Sequence, residues 1–166
     1  MGMRAYRGSH LPVLMKLVPA TTGPILEMGC GHFSTIYLHW ACFPTKRRLV
    51  TYENNPTYYG FAKLFEADFH EIHCVTDWDA QDICSEQWSI AFLDHEPPQR
   101  RGIELRRLIN NADYIVAHDA GRSRRNRKFG FGGVHDLFKY SYDYEVTWPP
   151  TSVWSNKYDL SKFDVK

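Results

Sequence analysis

The sequence predicts an α/β fold in which a seven-stranded, mostly parallel sheet has helices on both faces and ends in a C-terminal antiparallel hairpin. Short apolar runs alternate with helix-like patterns along most of the chain, which is typical of a parallel sheet. The first run leads directly into a glycine turn at 29–31. The last two strand-like segments flank Pro149-Pro150 with no helix between them, which predicts an antiparallel pair. With 166 residues and no internal repeat, the chain 1–166 is expected to form one domain.

The first half of the chain contains three predicted helices and three predicted strands. Ser9 is a candidate N-cap for a first helix that ends before Pro19, so that residues 1–22 form a helical lead-in. Pro56 is well suited to the first turn of another helix. The helices are predicted at 11–18, 33–43 and 56–69, and the strands at 24–28, 48–53 and 71–75.

The second half continues the alternation and then becomes antiparallel. Apolar-rich runs at 88–94 and 112–118 predict the fourth and fifth strands. Between them, Pro97-Pro98 begins an amphipathic helix whose buried face is predicted to consist of Ile103, Leu105, Leu108 and Ile109. A short helix at 134–140 and hairpin strands at 142–148 and 153–158 complete the prediction.

The turn after the first strand predicts a site for a nucleoside cofactor. Gly29 and Gly31 have no Cβ that would block a ligand, and Ser34 begins the helix that follows them. Glu53 lies at the carboxyl end of the second strand. In an open α/β sheet, an acid at that place binds the ribose hydroxyls of a nucleotide.

Charge favours S-adenosylmethionine over a dinucleotide as the ligand of this turn. A dinucleotide places its pyrophosphate over Gly-x-Gly-x-x-Gly, whereas the third glycine position here is Ser34. Glu27, at the mouth of the turn, would repel a pyrophosphate but attract the ammonium and sulfonium groups of S-adenosylmethionine.

The pattern Glu27-x-Gly29-x-Gly31 with Glu53 resembles the class I S-adenosylmethionine-dependent methyltransferase superfamily, over nearly the whole chain. The resemblance implies a Rossmann-like fold, with Asp77 near the adenine amino group and Trp78 stacked on the ring, although Trp78 packing on a helix is an equal alternative. The cofactor contacts that it implies are Glu27, Gly29, Cys30, Gly31, Ser34, Glu53, Asn54, Asp77, Trp78 and Asp94.

Two neighbouring strands each end in an acid and an imidazole, Asp94-His95 and His118-Asp119. This arrangement resembles the metal-dependent, catechol-type O-methyltransferases, and the resemblance implies that Asp94 and Asp119 hold a Mg²⁺ ion. The chain departs from that family at Ala120, where the family has an asparagine ligand. Two carboxylates and waters alone would bind Mg²⁺ weakly.

A site without metal is the alternative. Asp94 would then bind the methionine ammonium or the acceptor, and His118 or His95 would act as general base, because an imidazole titrates near neutral pH. The expected catalytic residues are therefore Asp94, His118, Asp119 and His95.

A basic segment, Arg122-Ser123-Arg124-Arg125-Asn126-Arg127-Lys128, follows the fifth strand directly. In the methyltransferase fold this connection lies over the acceptor site, so we expect Arg122, Arg124 and Arg125 to bind an anionic small molecule. Arg100 and Arg101 would add to the same positive field. A nucleic-acid acceptor is less favoured, because the segment lacks the interleaved aromatic residues of a stacking surface. A solvated loop with no ligand is the plain alternative.

Composition sets the broad class. The formal charge of +1 argues neither for nor against nucleic acid, and the four cysteines show no metal-binding spacing. Reduced thiols predict a cytoplasmic protein, and no apolar run approaches the ~20 residues of a membrane helix. The short chain leaves little room for a substrate domain, so a homodimer is one way to complete the acceptor site.

The expected reaction is O-methylation of a small or anionic acceptor by in-line transfer. A non-catalytic S-adenosylmethionine-binding module, an aminopropyltransferase and an NAD-dependent oxidoreductase are the alternatives on the same fold. The last is disfavoured because the chain offers no evident Tyr-x-x-x-Lys.

Overall fold

The computed structural model describes residues 7–121 and 129–165 and contains one seven-stranded sheet in the order β3-β2-β1-β4-β5-β7-β6. Strands β1 to β5 are parallel, and β7 runs antiparallel to both β5 and β6, which confirms the predicted fold class. The strands are β1 (Ile25–Met28), β2 (Leu49–Glu53), β3 (His70–Cys74), β4 (Trp88–Leu93), β5 (Ala112–His118), β6 (Tyr140–Tyr144) and β7 (Thr151–Ser155).

Helices cover both faces of the sheet because the strands alternate their apolar side chains. Leu26 and Met28 belong to a core that includes Leu105 and Leu108, whereas Ile25 belongs to a second core with residues of the first two helices. The helices are α1 (Leu11–Leu17), α2 (Ser34–Cys42), α3 (Pro56–Ala62) and α4 (Arg101–Arg107). In the part of the chain that the structure describes, no helix is long and apolar enough to cross a membrane.

Three predicted helices differ from the observed ones. Helix α3 is capped by the Asn55 side chain as its sequence suggests, but it ends at Ala62 and not at 69, because a 3-10 turn at Lys63–Phe65 leads into β3. Helix α4 points Arg101, Gly102 and Glu104 inward, so Ile103 is 45% exposed. The helix predicted at 134–140 is a single 3-10 turn, His135–Leu137.

Ser9 is not the N-cap of α1. His10 occupies the cap position without a side-chain hydrogen bond. The Ser9 hydroxyl instead donates to the carbonyl of Pro149 and lies 2.8 Å from Nε2 of His118. The lead-in to α1 is therefore attached to the β6–β7 connection and to the end of β5.

Gly29 is required by a close approach between β1 and β4. Its φ is +88°, and a Cβ built on it would lie 2.5 Å from the backbone nitrogen of His95. Gly60, by contrast, lies in α3 with nothing within 4 Å of its Cβ position. The same Gly→Ala change is thus forbidden at one site and open at the other.

We predict opposite effects of these two substitutions on the free energy of unfolding, measured by urea denaturation. Gly29→Ala should destabilise the protein by roughly 2 kcal/mol or more, because the left-handed φ and the backbone overlap both oppose a side chain. Gly60→Ala should stabilise it by about 0.5–1 kcal/mol through helix propensity. Equal effects at the two positions would contradict this account of the turn.

Candidate functional site

A cavity of about 540 Å³ opens at the carboxyl edge of the sheet. The glycine turn forms one wall, the end of β2 and the start of α3 form another, and the ends of β4 and β5 form the inner end. The lead-in to α1 closes the remaining side. Among the residues that line the cavity are His10, Cys30, Gly31, Ser34, Glu53, Asn55, Tyr58, Asp94, His95, Arg101, His118 and Asp119.

Glu53 joins the two loops that form the outer part of the cavity. One carboxylate oxygen accepts a 2.8 Å hydrogen bond from the backbone N–H of Cys30, and the other accepts a 2.5 Å bond from that of Asn55. Each oxygen retains capacity for a further donor. Glu53 is therefore held in place by the backbone and can still accept from ribose hydroxyls.

Gly31 leaves the wall of the cavity open at the start of α2. Its N–H donates to Oγ1 of Thr35 at 3.0 Å, and a Cβ built on it would meet only the Ser34 hydroxyl, at 3.9 Å. Since no atom of the described residues fills the space beside it, the turn can receive a ligand against its backbone.

Glu27 lies beneath the turn and not at its mouth. It is completely buried, and its carboxylate accepts hydrogen bonds from the hydroxyls of Thr35, at 3.0 and 3.1 Å, and Thr51, at 2.8 Å. Burial raises the pKa of Glu27 to about 7, although the hydrogen bonds from Ser34, Thr51 and Thr35 oppose this rise. Glu27 was expected to attract a cationic cofactor directly. In the structure it instead binds Thr35, whose hydroxyl oxygen accepts from the backbone N–H of Gly31 in the turn.

A continuous series of hydrogen bonds runs from Glu27 across β2 and β3 to His39 in α2. Thr51 contacts Nε2 of His70 at 2.9 Å, and Nδ1 of His70 contacts Nδ1 of His39 at 3.1 Å. With Glu27 ionised, Thr51 donates to it and accepts from Nε2–H of His70, and Nδ1 of His70 then accepts from His39. Burial lowers the pKa of His70 to about 4, which agrees with this neutral tautomer.

The guanidinium of Arg101 joins the ends of β4 and β5. It donates to the backbone carbonyls of Asp94, His95 and His118 at 2.9–3.2 Å, and one nitrogen lies 3.0 Å from the carboxylates of both Asp94 and Asp119. Arg101 is 3% exposed and two carboxylates share its charge, so little of that charge is left for the acceptor field to which Arg101 was expected to add. Arg100 likewise binds Asp79 and Glu104.

The Asp94–Asp119 pair does not fit a Mg²⁺ site. An ion bridging the two carboxylates would have to displace the guanidinium that already lies between them. The third oxygen ligand that the catechol-type resemblance implies is absent at Ala120, and two carboxylates with waters bind Mg²⁺ only weakly. Asp94 and Asp119 are therefore partners of Arg101 and not a Mg²⁺-binding pair.

His118 is hydrogen-bonded on both ring nitrogens. Since the Ser9 hydroxyl donates to Pro149, it accepts from Nε2 of His118, while Nδ1 lies 3.1 Å from Oδ1 of Asp94. Burial opposes the charged ring, but the hydrogen bond to Asp94 and the charges of Asp94 and Asp119 outweigh it and raise the pKa of His118. Asp94, His118 and Asp119 thus lie together at the carboxyl edge of the sheet.

His95 contributes little to the open part of that rim. Its ring is fully buried against Trp78, with the ring centroids 4.3 Å apart, and burial lowers its pKa to about 3. The indole of Trp78 donates to the carbonyl of Glu96, so Trp78 packs in the core and does not line the cavity. Asp77 is exposed and accepts from the N–H of Asp79.

His10 is the main site residue that the motifs do not reveal. It comes from the lead-in to α1 and is 5% exposed, and its ring centroid lies 4.8 Å from that of His118. Neither ring nitrogen has a hydrogen-bond partner among the described residues. Burial, and then the charge of His118, lower its pKa to about 4, so the ring is neutral at pH 7. Arg122, Arg124 and Arg125, expected to bind the acceptor, lie outside the described residues.

Comparison with solved structures places the fold among methyltransferases. An O-methyltransferase from Bacillus cereus, in complex with SAH, is 15% identical, with 89% of this chain and 80% of that chain covered and a TM-score of 0.63. The O-methyltransferase TomG from Streptomyces achromogenes, involved in tomaymycin synthesis and in complex with SAM, is 16% identical over 91% and 79%, with a TM-score of 0.64. The sequence matches no protein-family model and no curated protein. At this identity the likeness shows the class I methyltransferase fold.

We predict that Glu27 makes the stability of the protein pH-dependent. Because the folded-state pKa of about 7 lies above the ordinary value of 4.5, Glu27 contributes stability below pH 4.5 that is lost as the pH rises to 7. The loss is on the order of 3 kcal/mol, since a tenfold change in proton affinity is worth about 1.4 kcal/mol. In measurements between pH 4.5 and 8, the unfolding free energy of the wild type should fall by about 3 kcal/mol relative to that of Glu27→Gln, whose amide does not titrate. A constant difference across that range would contradict the prediction.

We predict that Arg101→Met destabilises the protein by about 3–5 kcal/mol, because it leaves two carboxylates facing each other in a buried place. Arg48→Met is the matched control, since Arg48 also binds two carboxylates, Glu71 and Glu86, but its side chain is 44% exposed. The control should cost about 1 kcal/mol or less. Chemical denaturation of both variants measures the difference, and similar losses would show that Arg101 has no special place.

Proposed function

We propose that the protein is an S-adenosylmethionine-dependent methyltransferase. The observation that carries the proposal is the cavity itself, which runs from a Glu53 carboxylate fixed by the glycine turn to the Asp94–His118 pair. Its volume lies within the range of roughly 300–1,000 Å³ that is usual for cofactor pockets. Solved proteins of the same fold contain SAM or SAH.

The cofactor would lie along the turn with its adenosine end at Glu53. Glu53 would accept from the ribose hydroxyls, and the backbone of Cys30 and Gly31 would receive the methionine part. Asp94 is the nearest carboxylate for the ammonium at the inner end of the cavity. Asn54, Asp77 and Trp78 stay outside this arrangement, because they do not line the cavity among the described residues.

The reaction would be an in-line displacement at the inner end of the cavity. An acceptor oxygen attacks the sulfonium methyl, the bond from sulfur to that carbon breaks, and S-adenosylhomocysteine leaves. The cofactor supplies the activated methyl group, and the protein supplies position and exclusion of water. Asp119 would orient the acceptor, and His118 in its neutral form would take the acceptor's proton on Nδ1, since its Nε2 donates to Ser9.

The acceptor is proposed to be a small or anionic molecule. A cavity of this size leaves room for little beyond the cofactor, which favours a small acceptor. Arg122, Arg124 and Arg125 follow β5 in the sequence, and their positive charge is the basis of the anionic preference.

The first test is binding of S-adenosylmethionine, S-adenosylhomocysteine and NAD⁺, measured by calorimetry and by melting temperature. At about 100 times the dissociation constant, a ligand adds roughly 2.7 kcal/mol. For a chain of this size, that gain raises the melting temperature by roughly 5–10 °C. Gly31→Ala should keep the melting temperature of the free protein but lose most of this rise, since its Cβ would enter the space beside the turn.

Glu71→Gln on the exposed edge strand is the control and should bind like the wild type. A rise with NAD⁺ alone, or with none of the three ligands, would refute the proposal. If the two sulfur ligands bind, transfer of labelled methyl groups to a panel of anionic acceptors then distinguishes an enzyme from a binding module. Transfer of an aminopropyl group from the decarboxylated cofactor would instead identify the aminopropyltransferase alternative.

A further inference from the structure

We propose that His10, Asp94 and His118 bind a divalent first-row transition-metal ion at the inner end of the cavity. Each of the three residues offers one ligand atom, and these atoms all lie within 4.8 Å of one another. All three residues line the cavity, so the remaining coordination positions of an ion would face the space where ligands enter.

His10 is the residue that points to a ligand beyond the protein. It is 95% buried, since only 5% of its surface is exposed, yet both ring nitrogens lack a partner among the described residues. A buried polar group without a partner is costly, and most such groups in folded proteins are satisfied. A metal ion shared with His118 and Asp94 would satisfy one of these nitrogens.

The donor set selects the class of metal. Two imidazoles and one carboxylate suit Zn²⁺, Fe²⁺, Co²⁺ or Ni²⁺, whereas Mg²⁺ and Ca²⁺ prefer oxygen ligands throughout. This site therefore differs from the Asp94–Asp119 pair that the catechol-type resemblance implied. It uses a histidine from the lead-in to α1 and leaves Asp119 as a partner of Arg101.

The surroundings of His118 and Asp94 already hold both groups in place for such a role. Nε2 of His118 donates to the Ser9 hydroxyl, which donates to Pro149, so Nδ1 is the nitrogen directed at Asp94. A hydrogen bond on the second ring nitrogen is the usual support of a metal-binding histidine. On metal binding, the Nδ1 proton would be released, and the ion would take its place between the ring and the carboxylate.

Arg101 limits the charge at this place without preventing binding. Its guanidinium lies 3.0 Å from Oδ1 of Asp94, but it is also 3.0 Å from the carboxylate of Asp119, which offsets its charge. In the context of the proposed function, on which this step rests, the ion would replace His118 as the group that activates the acceptor, because it would bind the acceptor hydroxyl and lower its pKa. Asp94 would then hold the ion and not the cofactor ammonium.

The test is titration of the chelator-treated full chain with Co²⁺, followed by its visible absorption bands and by calorimetry. One Co²⁺ should bind per chain, Zn²⁺ should displace it, and Mg²⁺ should not. His10→Ala and Asp94→Asn should each weaken binding by roughly 100-fold or more, and Ser9→Ala by about 10-fold through the orientation of His118. Circular dichroism and melting temperature establish that each variant is folded, and His10→Asn is a smaller change should His10→Ala unfold.

His32→Ala is the matched control, because His32 lines the same cavity from the exposed side of the turn but lies outside the three-residue group. It should bind Co²⁺ like the wild type. The inference is overturned if the folded wild type binds no Co²⁺, or if His10→Ala binds it as tightly as the wild type.

Asp119→Asn separates the two metal sites. Asp119→Asn should keep the Co²⁺ absorption bands. If Asp119→Asn loses these bands while His10→Ala keeps them, the Asp94–Asp119 pair is the metal site and the inference is overturned. Binding of S-adenosylmethionine is measured in the same samples. Cofactor binding without Co²⁺ binding refutes only the metal site, whereas Co²⁺ binding without cofactor binding refutes only the proposed function.

Discussion

The inner end of the cavity depends on the interaction of the Arg101 guanidinium with the carboxylates of Asp94 and Asp119. Parallel strands bring their carboxyl ends to one edge of the sheet. Here β4 is followed by Asp94 and β5 by Asp119, and these two adjacent carboxylates repel each other. Arg101 offsets both charges and also binds three backbone carbonyls from the same two strand ends. Arg101, the first residue of α4, thus holds Asp94 and Asp119 side by side and also binds the backbone of His118.

The outer end of the cavity follows from local sequence and could therefore be predicted. The spacing of Gly29, Gly31 and Glu53 fixes a turn and a strand end, and the parallel register of β1 and β2 then brings Glu53 to the turn. Short-range patterns specify such features because each depends on a few consecutive residues and on the order of the strands. The alternation of strands and helices was predictable for the same reason.

The inner end could not be predicted in detail because its contacts are distant in sequence. Ser9 and His118 are 109 residues apart, and only the packing of the lead-in beside β5 brings them together. Arg101 was expected to add to a positive field for the acceptor, but it is buried, and no motif indicates that its helix points inward at its first turn. Arginine is rarely buried in proteins. The sequence left open whether Trp78 stacks on the adenine ring or packs on a helix. In the structure it is buried, and its indole N–H donates to the carbonyl of Glu96.

The case of Glu27 shows why charge logic alone misplaces a residue. An acid before a glycine turn was expected to face a cationic ligand, yet its side chain alternates with those of Leu26 and Met28 and so lies under α2. From there it acts on the turn through Thr35, which accepts from Gly31 while it donates to the carboxylate. A hydroxyl that donates to a carboxylate is fixed in orientation, and its oxygen is then directed at the backbone of the turn. The buried acid therefore supports, through Thr35, the part of the protein that would receive the cofactor.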